Sequence, residues 1–136
     1  MGFIMEMYAG ILVKYNDKVL LCKRCADCTL AGQWSMPCGH GEGNENMKIT
    51  AIREFFEETN IKLRGRDIRL VEYFPSRTGK GLVYVYLYES KEEIYPDLIN
   101  AKDGREHSEC GYYSINELEG LTLSPEMKKI IIKVLS

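Results

Sequence analysis

Long apolar runs and a strong excess of charge of one sign are both missing from this 136-residue sequence. The longest apolar stretches, such as Leu82 to Tyr88, have the length of a β-strand and are too short to cross a bilayer. The start of the chain lacks the basic and apolar segments of a secretion signal. We therefore expect a cytoplasmic protein that has no membrane partner.

The net charge also limits the classes of partner. It is only -2, and the Lys, Arg, Asp and Glu residues are spread along the whole chain. Such a surface has no general attraction for nucleic acid, so a polyanionic ligand must be held locally by a metal ion or a few basic groups. A content of 45% hydrophobic residues suits one compact domain over residues 1–136. Whether two chains form a homodimer stays open at this stage.

Cysteine occurs in an odd number, five, in a sequence without a secretion signal, which predicts reduced thiols. Cys22, Cys25 and Cys28 are spaced as Cys-x-x-Cys-x-x-Cys, with Cys38 further on. This spacing fits no common zinc or iron–sulfur pattern well. We expect Cys22 to be a small buried residue of a strand, and Cys25 and Cys28 to lie in the loop that follows it.

Apolar runs separated by turn residues predict a mainly β chain with two helices. The predicted strands are 8–14, 18–23, 33–37, 68–74, 82–89 and 110–113, and 39–44 is predicted to be a glycine-rich loop. A helix is predicted from the N-cap Asn46 to Thr59, with Asn60 in the left-handed position that ends it. A second helix begins at Ser124-Pro125. Residues 91–105 are polar and aperiodic, and we expect a mobile loop over the site there.

Three carboxylates crowd onto one face of the first helix. Glu54, Glu57 and Glu58 are spaced i, i+3 and i+4, which places them together. Like charges in this arrangement repel each other, and oxygen ligands of this kind suit Mg²⁺, with Mn²⁺ as a substitute. A solvated acidic face is the alternative, and it is common on helices.

The wider pattern around this helix decides between the two interpretations. It runs from Gly39 through Glu45 to the segment Arg53-Glu54-Phe55-Phe56-Glu57-Glu58-Thr59-Asn60-Ile61. This resembles the Nudix box, G-x5-E-x7-R-E-U-x-E-E-x-G-U with U apolar, at every fixed position except one. The departure is Asn60, where the family has glycine. Because asparagine tolerates the left-handed region, we expect this change to affect stability more than chemistry.

The resemblance extends over most of the chain. The segment 34–37 resembles the tryptophan-to-proline strand that leads into the box, and 106–109 resembles the acidic segment near the family's C-terminus. It implies an α/β (α+β) Nudix fold, in which α-helices sandwich a mixed β-sheet. It also implies a Mg²⁺-dependent pyrophosphohydrolase that attacks a diphosphate linkage of a nucleoside di- or triphosphate derivative with activated water.

The same resemblance assigns roles to individual residues. Glu54, Glu57 and Glu58 would bind the metal or act as the base beside it. Glu45 would support them, and Arg53 would orient a carboxylate through a salt bridge.

Further residues complete the predicted site. The backbone at Gly39 would add a carbonyl ligand, and either Glu106 or Glu109 would complete the site or serve as the base. The predicted contacts to a small nucleotide-like diphosphate substrate come from Gly39, His40, Arg24, Tyr84 and Glu109. For Tyr84 the alternative is ordinary core packing, and for Arg24 it is surface solvation.

Two other functions compete with the hydrolase. Isoprenyl-diphosphate isomerases have a catalytic cysteine in a Cys-Gly-His segment, which Cys38, Gly39 and His40 resemble. That family also needs upstream metal-binding histidines, however, and only His40 and His107 occur in this sequence. A non-catalytic Nudix-like sensor is the second alternative, but such domains usually lose box glutamates. The sequence leaves the identity of the nucleotide open.

Overall fold

A mixed β-sheet of seven strands, with one α-helix on each face, forms the framework of residues 5–136, the part of the chain that the computed structural model describes. Short 3-10 turns cover Gly65–Asp67, Gly104–Glu106 and Ile115–Gly120. The strands are β1 (Glu6–Tyr15), β2 (Lys18–Arg24), β3 (Trp34–Ser35), β4 (Cys38–His40), β5 (Ile68–Pro75), β6 (Gly81–Glu89) and β7 (His107–Tyr113), and the helices are α1 (Met47–Thr59) and α2 (Pro125–Leu135).

Strand β1 is the centre of the sheet. It pairs antiparallel with β2 and β4 on one side and parallel with β6 on the other, where Glu6 is opposite Gly81 and Lys14 is opposite Glu89. The path across the sheet is β3-β2-β1-β6-β5, with β7 added to β2 and β4 added to β1. Because α1 and α2 cover the two faces of the sheet at this central strand, β1 is buried on both faces, which explains its continuous apolar run.

Two layers of core side chains lie on the two faces of the sheet. Successive residues of β1 alternate between them, as the pleat of a strand requires. Ile11 packs with Phe55 of α1, whereas Leu12 packs with Ile130 and Ile131 of α2. The predicted sandwich of a mixed sheet between helices is therefore confirmed.

The ends of α1 are where local sequence signals predict them. The Asn46 side chain accepts a hydrogen bond of 2.9 Å from the Ile49 N–H and caps the first turn. At the other end Asn60 has a φ of 64° and donates its N–H to the Phe56 carbonyl at 2.8 Å. The strands predicted at 8–14, 18–23, 68–74 and 82–89 are also present, each slightly longer than expected.

The predicted loop 39–44 is wrong at its beginning, because Cys38–His40 form β4. Its pairing places Gly39 opposite Ala9 and Cys38 opposite Gly10. A Cβ on Gly10 would overlap Cys38, so this glycine permits the close approach of β4. A strand this short, containing a glycine, carries no periodic signal in the sequence.

The prediction of reduced thiols is also wrong for four of the five cysteines. Disulfide bonds join Cys22 to Cys110 and Cys25 to Cys28, and Cys38 is free. Cys22 and Cys110 are opposite each other on β2 and β7, with their Cα atoms 4.0 Å apart. The three cysteines spaced as Cys-x-x-Cys-x-x-Cys are thus divided between two disulfides rather than gathered around one metal ion.

The segment 91–105 is irregular, as predicted, but two backbone hydrogen bonds join it to the C-terminal half of α1. The Asp97 N–H donates to the Thr59 carbonyl at 2.9 Å, and the Asp103 N–H donates to the Glu57 carbonyl at 2.7 Å. Within residues 5–136, no helix has the length and apolar character needed to cross a bilayer.

The left-handed backbone at Asn60 leads to a stability prediction. Asn60→Ala should lower the free energy of unfolding by about 1 kcal/mol, because a Cβ-bearing residue without the local polar compensation of asparagine is strained there. The matched variant Asn60→Gly should be at least as stable as the wild type. Urea unfolding monitored by circular dichroism measures both, and equal losses in the two variants would contradict this account.

Candidate active site

The acidic face of α1 is directed at the loop that precedes the helix. Gly39 of β4 lies directly against Glu54, and a Cβ built on Gly39 would overlap the Glu54 carboxylate. Glycine is therefore needed at this position so that the backbone of β4 can approach the helix. The backbone at Gly39 and the Glu54 carboxylate are brought together, as the sequence predicted.

Arg53 connects this loop to the helix. Its Nε and Nη2 atoms donate to Glu45 at 2.9 and 3.0 Å, and Nη2 also donates to the His40 carbonyl at 3.0 Å. Its Nη1 atom donates to Glu54 at 3.0 Å and to Glu57 at 3.2 Å. The planar fork of a guanidinium makes such simultaneous contacts possible. The structure thus places Arg53 where it orients three carboxylates.

Glu45 lies in the most favourable electrostatic environment of the site. Hydrogen bonds from Arg53, opposed by partial burial, lower the pKa of Glu45 from its usual 4.5 to about 2. The Thr50 hydroxyl donates a further hydrogen bond of 2.6 Å to it. Glu45 is therefore ionised at neutral pH, and both of its oxygens accept hydrogen bonds from Arg53, which fits the supporting role expected for it.

The pKa values of Glu54 and Glu58 are raised, in contrast to that of Glu45. Burial is the main cause that raises the pKa of Glu54, and burial together with the charges of Glu106 and Glu54 raises the pKa of Glu58 well above its usual value. The two carboxyl groups lie close enough for each to influence the pKa of the other. Two carboxylates this close cannot both ionise easily unless a positive charge is added.

As the side chains stand, no three His, Cys, Asp or Glu groups among residues 5–136 converge to hold a metal ion. The reason is visible in their contacts: Glu54 and Glu57 turn toward Arg53, and Glu58 turns toward His107. The donor chemistry nevertheless fits a hard divalent cation, since the groups are carboxylate oxygens crowded by like charge. Glu54 and Glu58 are the residues best placed to share one.

The structure distinguishes the two candidate acids of the C-terminal segment. Glu106 lies in the group, since its charge acts on Glu58 and its Oε1 atom is 3.5 Å from Nη1 of Arg24. Glu109 is exposed and shares its face of β7 with Tyr113, on the α2 side of the sheet. Arg24 and Glu106 are thus brought to the carboxylates, and Glu109 is not.

The two remaining predicted contacts lie at different distances from this group. The His40 ring is exposed at the rim and packs edge-on against Tyr8, with ring centroids 5.1 Å apart. Tyr84 packs against the core layer under α1, and its ring centroid is 5.8 Å from that of Tyr73. His40 therefore borders the site, whereas Tyr84 takes part in core packing.

One functional candidate was missed by sequence reasoning. His107 is buried, and its Nε2 atom lies 2.6 Å from Oε1 of Glu58. No sequence pattern predicts this contact, because the two residues are far apart in the chain and a lone histidine carries no periodic signal.

The NUDIX domain family model matches residues 6–134 of this chain. The chain belongs to the Nudix family. An 8-oxo-dGTP diphosphatase of Buchnera aphidicola subsp. Schizaphis graminum is 31% identical over 104 residues, which cover 76% of this chain and 68% of that enzyme. The prediction of a Nudix hydrolase that acts on acid anhydrides in phosphorus-containing compounds is thereby confirmed.

Solved Nudix structures have the same fold. A MutT Nudix hydrolase from Burkholderia pseudomallei matches with a TM-score of 0.77 at 21% identity, over 95% of this chain and 97% of that one. A bifunctional NMN adenylyltransferase/ADP ribose pyrophosphatase from Francisella tularensis, in complex with AMP and manganese, matches with a TM-score of 0.71 at 25% identity, over 97% of this chain. This chain spans only 41% of that bifunctional protein.

The ion pair between Glu45 and Arg53 leads to a pH prediction. A pKa of about 2 in the folded protein lies below the usual 4.5 of an unfolded chain, so the pair stabilises the fold above about pH 4.5. This contribution is lost as the pH falls through 2. Glu45→Gln should therefore lower the unfolding free energy at pH 7 by about 1 to 3 kcal/mol, and the difference from wild type should shrink below pH 4.

Urea unfolding at about pH 7, 4 and 3 checks this prediction. The control is Glu93→Gln, since Glu93 is exposed and makes no salt bridge within the described residues. A Glu45→Gln deficit that did not change with pH would show that the pair stabilises through shape rather than charge.

Proposed function

We propose that this Nudix hydrolase is a divalent-metal-dependent pyrophosphohydrolase that cleaves a diphosphate linkage in a nucleoside di- or triphosphate derivative. The observation that carries the proposal is the crowding of Glu54 and Glu58 beside the backbone of Gly39, with Glu106 next to them. The Buchnera relative, named an 8-oxo-dGTP diphosphatase, and the Francisella structure with AMP and manganese support it.

Glu54 and Glu58 would hold the cation, with the Gly39 carbonyl and Glu57 as further oxygen ligands. Mg²⁺ is the expected ion and Mn²⁺ its substitute. When bound, the cation neutralises phosphate charge and lowers the pKa of a water molecule. Glu57 could join because, among the described residues, the one ion pair of its second oxygen, Oε2, is with the exposed Lys102 ammonium at 3.7 Å.

The side chains around the cation have separate tasks in this proposal. Glu106 would accept the proton of the attacking water, since it lies beside Glu58 and its one ion pair within residues 5–136 is with Arg24. Arg24 is 26% exposed, so its guanidinium can also bind a phosphate oxygen. Arg53 stays bound to Glu45 and the His40 carbonyl and so keeps the loop and helix in register.

Substrate recognition is proposed at the rim of the site. The exposed His40 ring and the edge of Tyr8 offer an aromatic surface for the nucleoside. The Tyr84 and Glu109 contacts expected from sequence receive no support from their positions. The choice among nucleoside triphosphates, ADP-ribose, nucleotide sugars and dinucleoside polyphosphates therefore rests with experiment.

The metal requirement gives the first test. Hydrolysis of one of these four substrate classes should require Mg²⁺ or Mn²⁺ and stop in excess EDTA. Glu54→Gln should lower kcat by about 10² to 10⁴ without unfolding the protein, because it removes a charge in the same shape. Glu93→Gln is the matched control and should retain wild-type turnover. Products are identified by anion-exchange chromatography, and full activity in EDTA would refute the mechanism.

The isoprenyl-diphosphate isomerase alternative depends on Cys38. Burial, assisted by the charge of Glu58, raises the pKa of Cys38 to about 12, so the thiol stays protonated near pH 7. It lies on the α2 side of the sheet, where it packs against the core. These facts, and the presence of only two histidines in the sequence, favour the hydrolase.

Cys38→Ser separates the two enzymes. It should leave phosphoanhydride hydrolysis within about tenfold of wild type, because the side chain contributes at most a weak contact of about 1.4 kcal/mol. In the isomerase it would abolish turnover of an isoprenyl diphosphate. A loss of hydrolysis as large as that of Glu54→Gln would assign the thiol a chemical role. Absence of turnover on every substrate, with tight nucleotide binding, would identify the sensor instead.

A further inference from the structure

Glu58 and His107 form a buried pair between α1 and β7. Their side chains are 2% and 3% exposed, and Glu58 Oε1 and His107 Nε2 are 2.6 Å apart. The Glu54 and Glu57 side chains, in contrast, are 14% and 17% exposed and share Arg53. Among the described residues, His107 is the only basic side chain within ion-pairing distance of Glu58.

A carboxylate this deeply buried needs a donor. Removing an ionised carboxylate from water without a hydrogen bond is costly, and an unpaired Glu58 would keep its proton or turn toward solvent. Either change would remove an oxygen from the acidic face. The contact with His107 is therefore what can hold an ionised Glu58 in its present place once a cation is bound.

The hydrogen bond must run from His107 to Glu58 once a cation is bound. A carboxylate that holds a cation has lost its proton, so the hydrogen in the 2.6 Å contact then belongs to Nε2. Nδ1 is buried and has no partner in hydrogen-bond geometry within residues 5–136, although the Lys23 backbone lies close enough to act on the ring.

His107 also fixes the position of its neighbour in the chain. Glu106 ends the 3-10 turn that leads into β7, and His107 is the first residue of that strand. The Glu106 carbonyl accepts a hydrogen bond of 2.9 Å from the Cys25 N–H, which holds the turn against the end of β2. A contact that ties His107 to α1 therefore also holds Glu106 beside Glu58.

We propose that His107 is a positioning residue for the divalent cation: its Nε2–H holds Oε1 of Glu58 toward the core and leaves the other carboxylate oxygen for the cation. The inference rests on the proposed metal-dependent function. Groups that hydrogen-bond to a metal ligand commonly change the metal affinity by a factor of about 10 to 100.

Two substitutions of similar shape test the proposal. The amide nitrogen of His107→Gln reaches the place of Nε2, whereas that of His107→Asn reaches only the place of Nδ1. Mn²⁺ is titrated into substrate-free protein, and the free ion is measured by electron paramagnetic resonance. His107→Asn should weaken Mn²⁺ binding by about tenfold or more, and His107→Gln should stay within about threefold of wild type.

The matched control is Ile130→Val, which removes a buried methylene from the α2 side of the core without contact to the acidic face. It should lower stability slightly and leave Mn²⁺ affinity unchanged. If His107→Asn does not fold, nitrogen-15 NMR of the wild type with saturating Mg²⁺ decides the question. The His107 ring should then carry its proton on Nε2, in a hydrogen bond that protects it from exchange.

The outcomes separate this inference from the proposed function. Wild-type Mn²⁺ affinity in both His107 variants, or a ring proton on Nδ1 alone in the Mg²⁺ form, would refute the positioning role and leave the metal-dependent hydrolase intact. Failure of the wild type to bind Mn²⁺ would overturn the proposed function and the inference together. Restored affinity in His107→Gln would support the inference, because a purely structural role predicts no such difference between the two amides.

Discussion

The acidic face of α1 depends on the hydrogen bonds that the guanidinium of Arg53 donates. Glu54 and Glu57 lie within one helical turn, and without a positive charge between them they would repel each other and the loop acid Glu45. By donating to all three, and to the His40 carbonyl, one side chain fixes the helix relative to the loop that precedes it. A lysine has no comparable fork and could not make these contacts together.

Chemically identical carboxylates acquire different properties from their surroundings. Glu45 is held ionised by Arg53, whereas Glu58 is buried next to other acids, and its pKa is raised. The first environment builds the scaffold of the site. The second brings acidic groups together, and a divalent cation would relieve their repulsion. The difference between the two glutamates comes from their surroundings rather than from residue type.

Features that depend on neighbouring residues were predictable from the sequence, and features that depend on distant ones were not. The Asn46 cap and the left-handed Asn60 follow from side chains within a few positions, so both ends of α1 were correct. The pairing of Cys22 with Cys110 and the contact of Glu58 with His107 join residues that only the sheet topology brings together. The Nudix box pattern still predicted part of the site, because its spacing is that of residues that meet in the folded protein.

The central position of β1 has a consequence for the order in which the fold can be completed. Its parallel partner β6 and the strand β7, which carries His107, are synthesised well after β1, β2 and α1. Parallel pairing between distant segments is slow to form, because the loop between them must close first. Glu58 therefore lacks its partner His107 until the second half of the chain has emerged from the ribosome. The acidic face is complete only after β7 has been made.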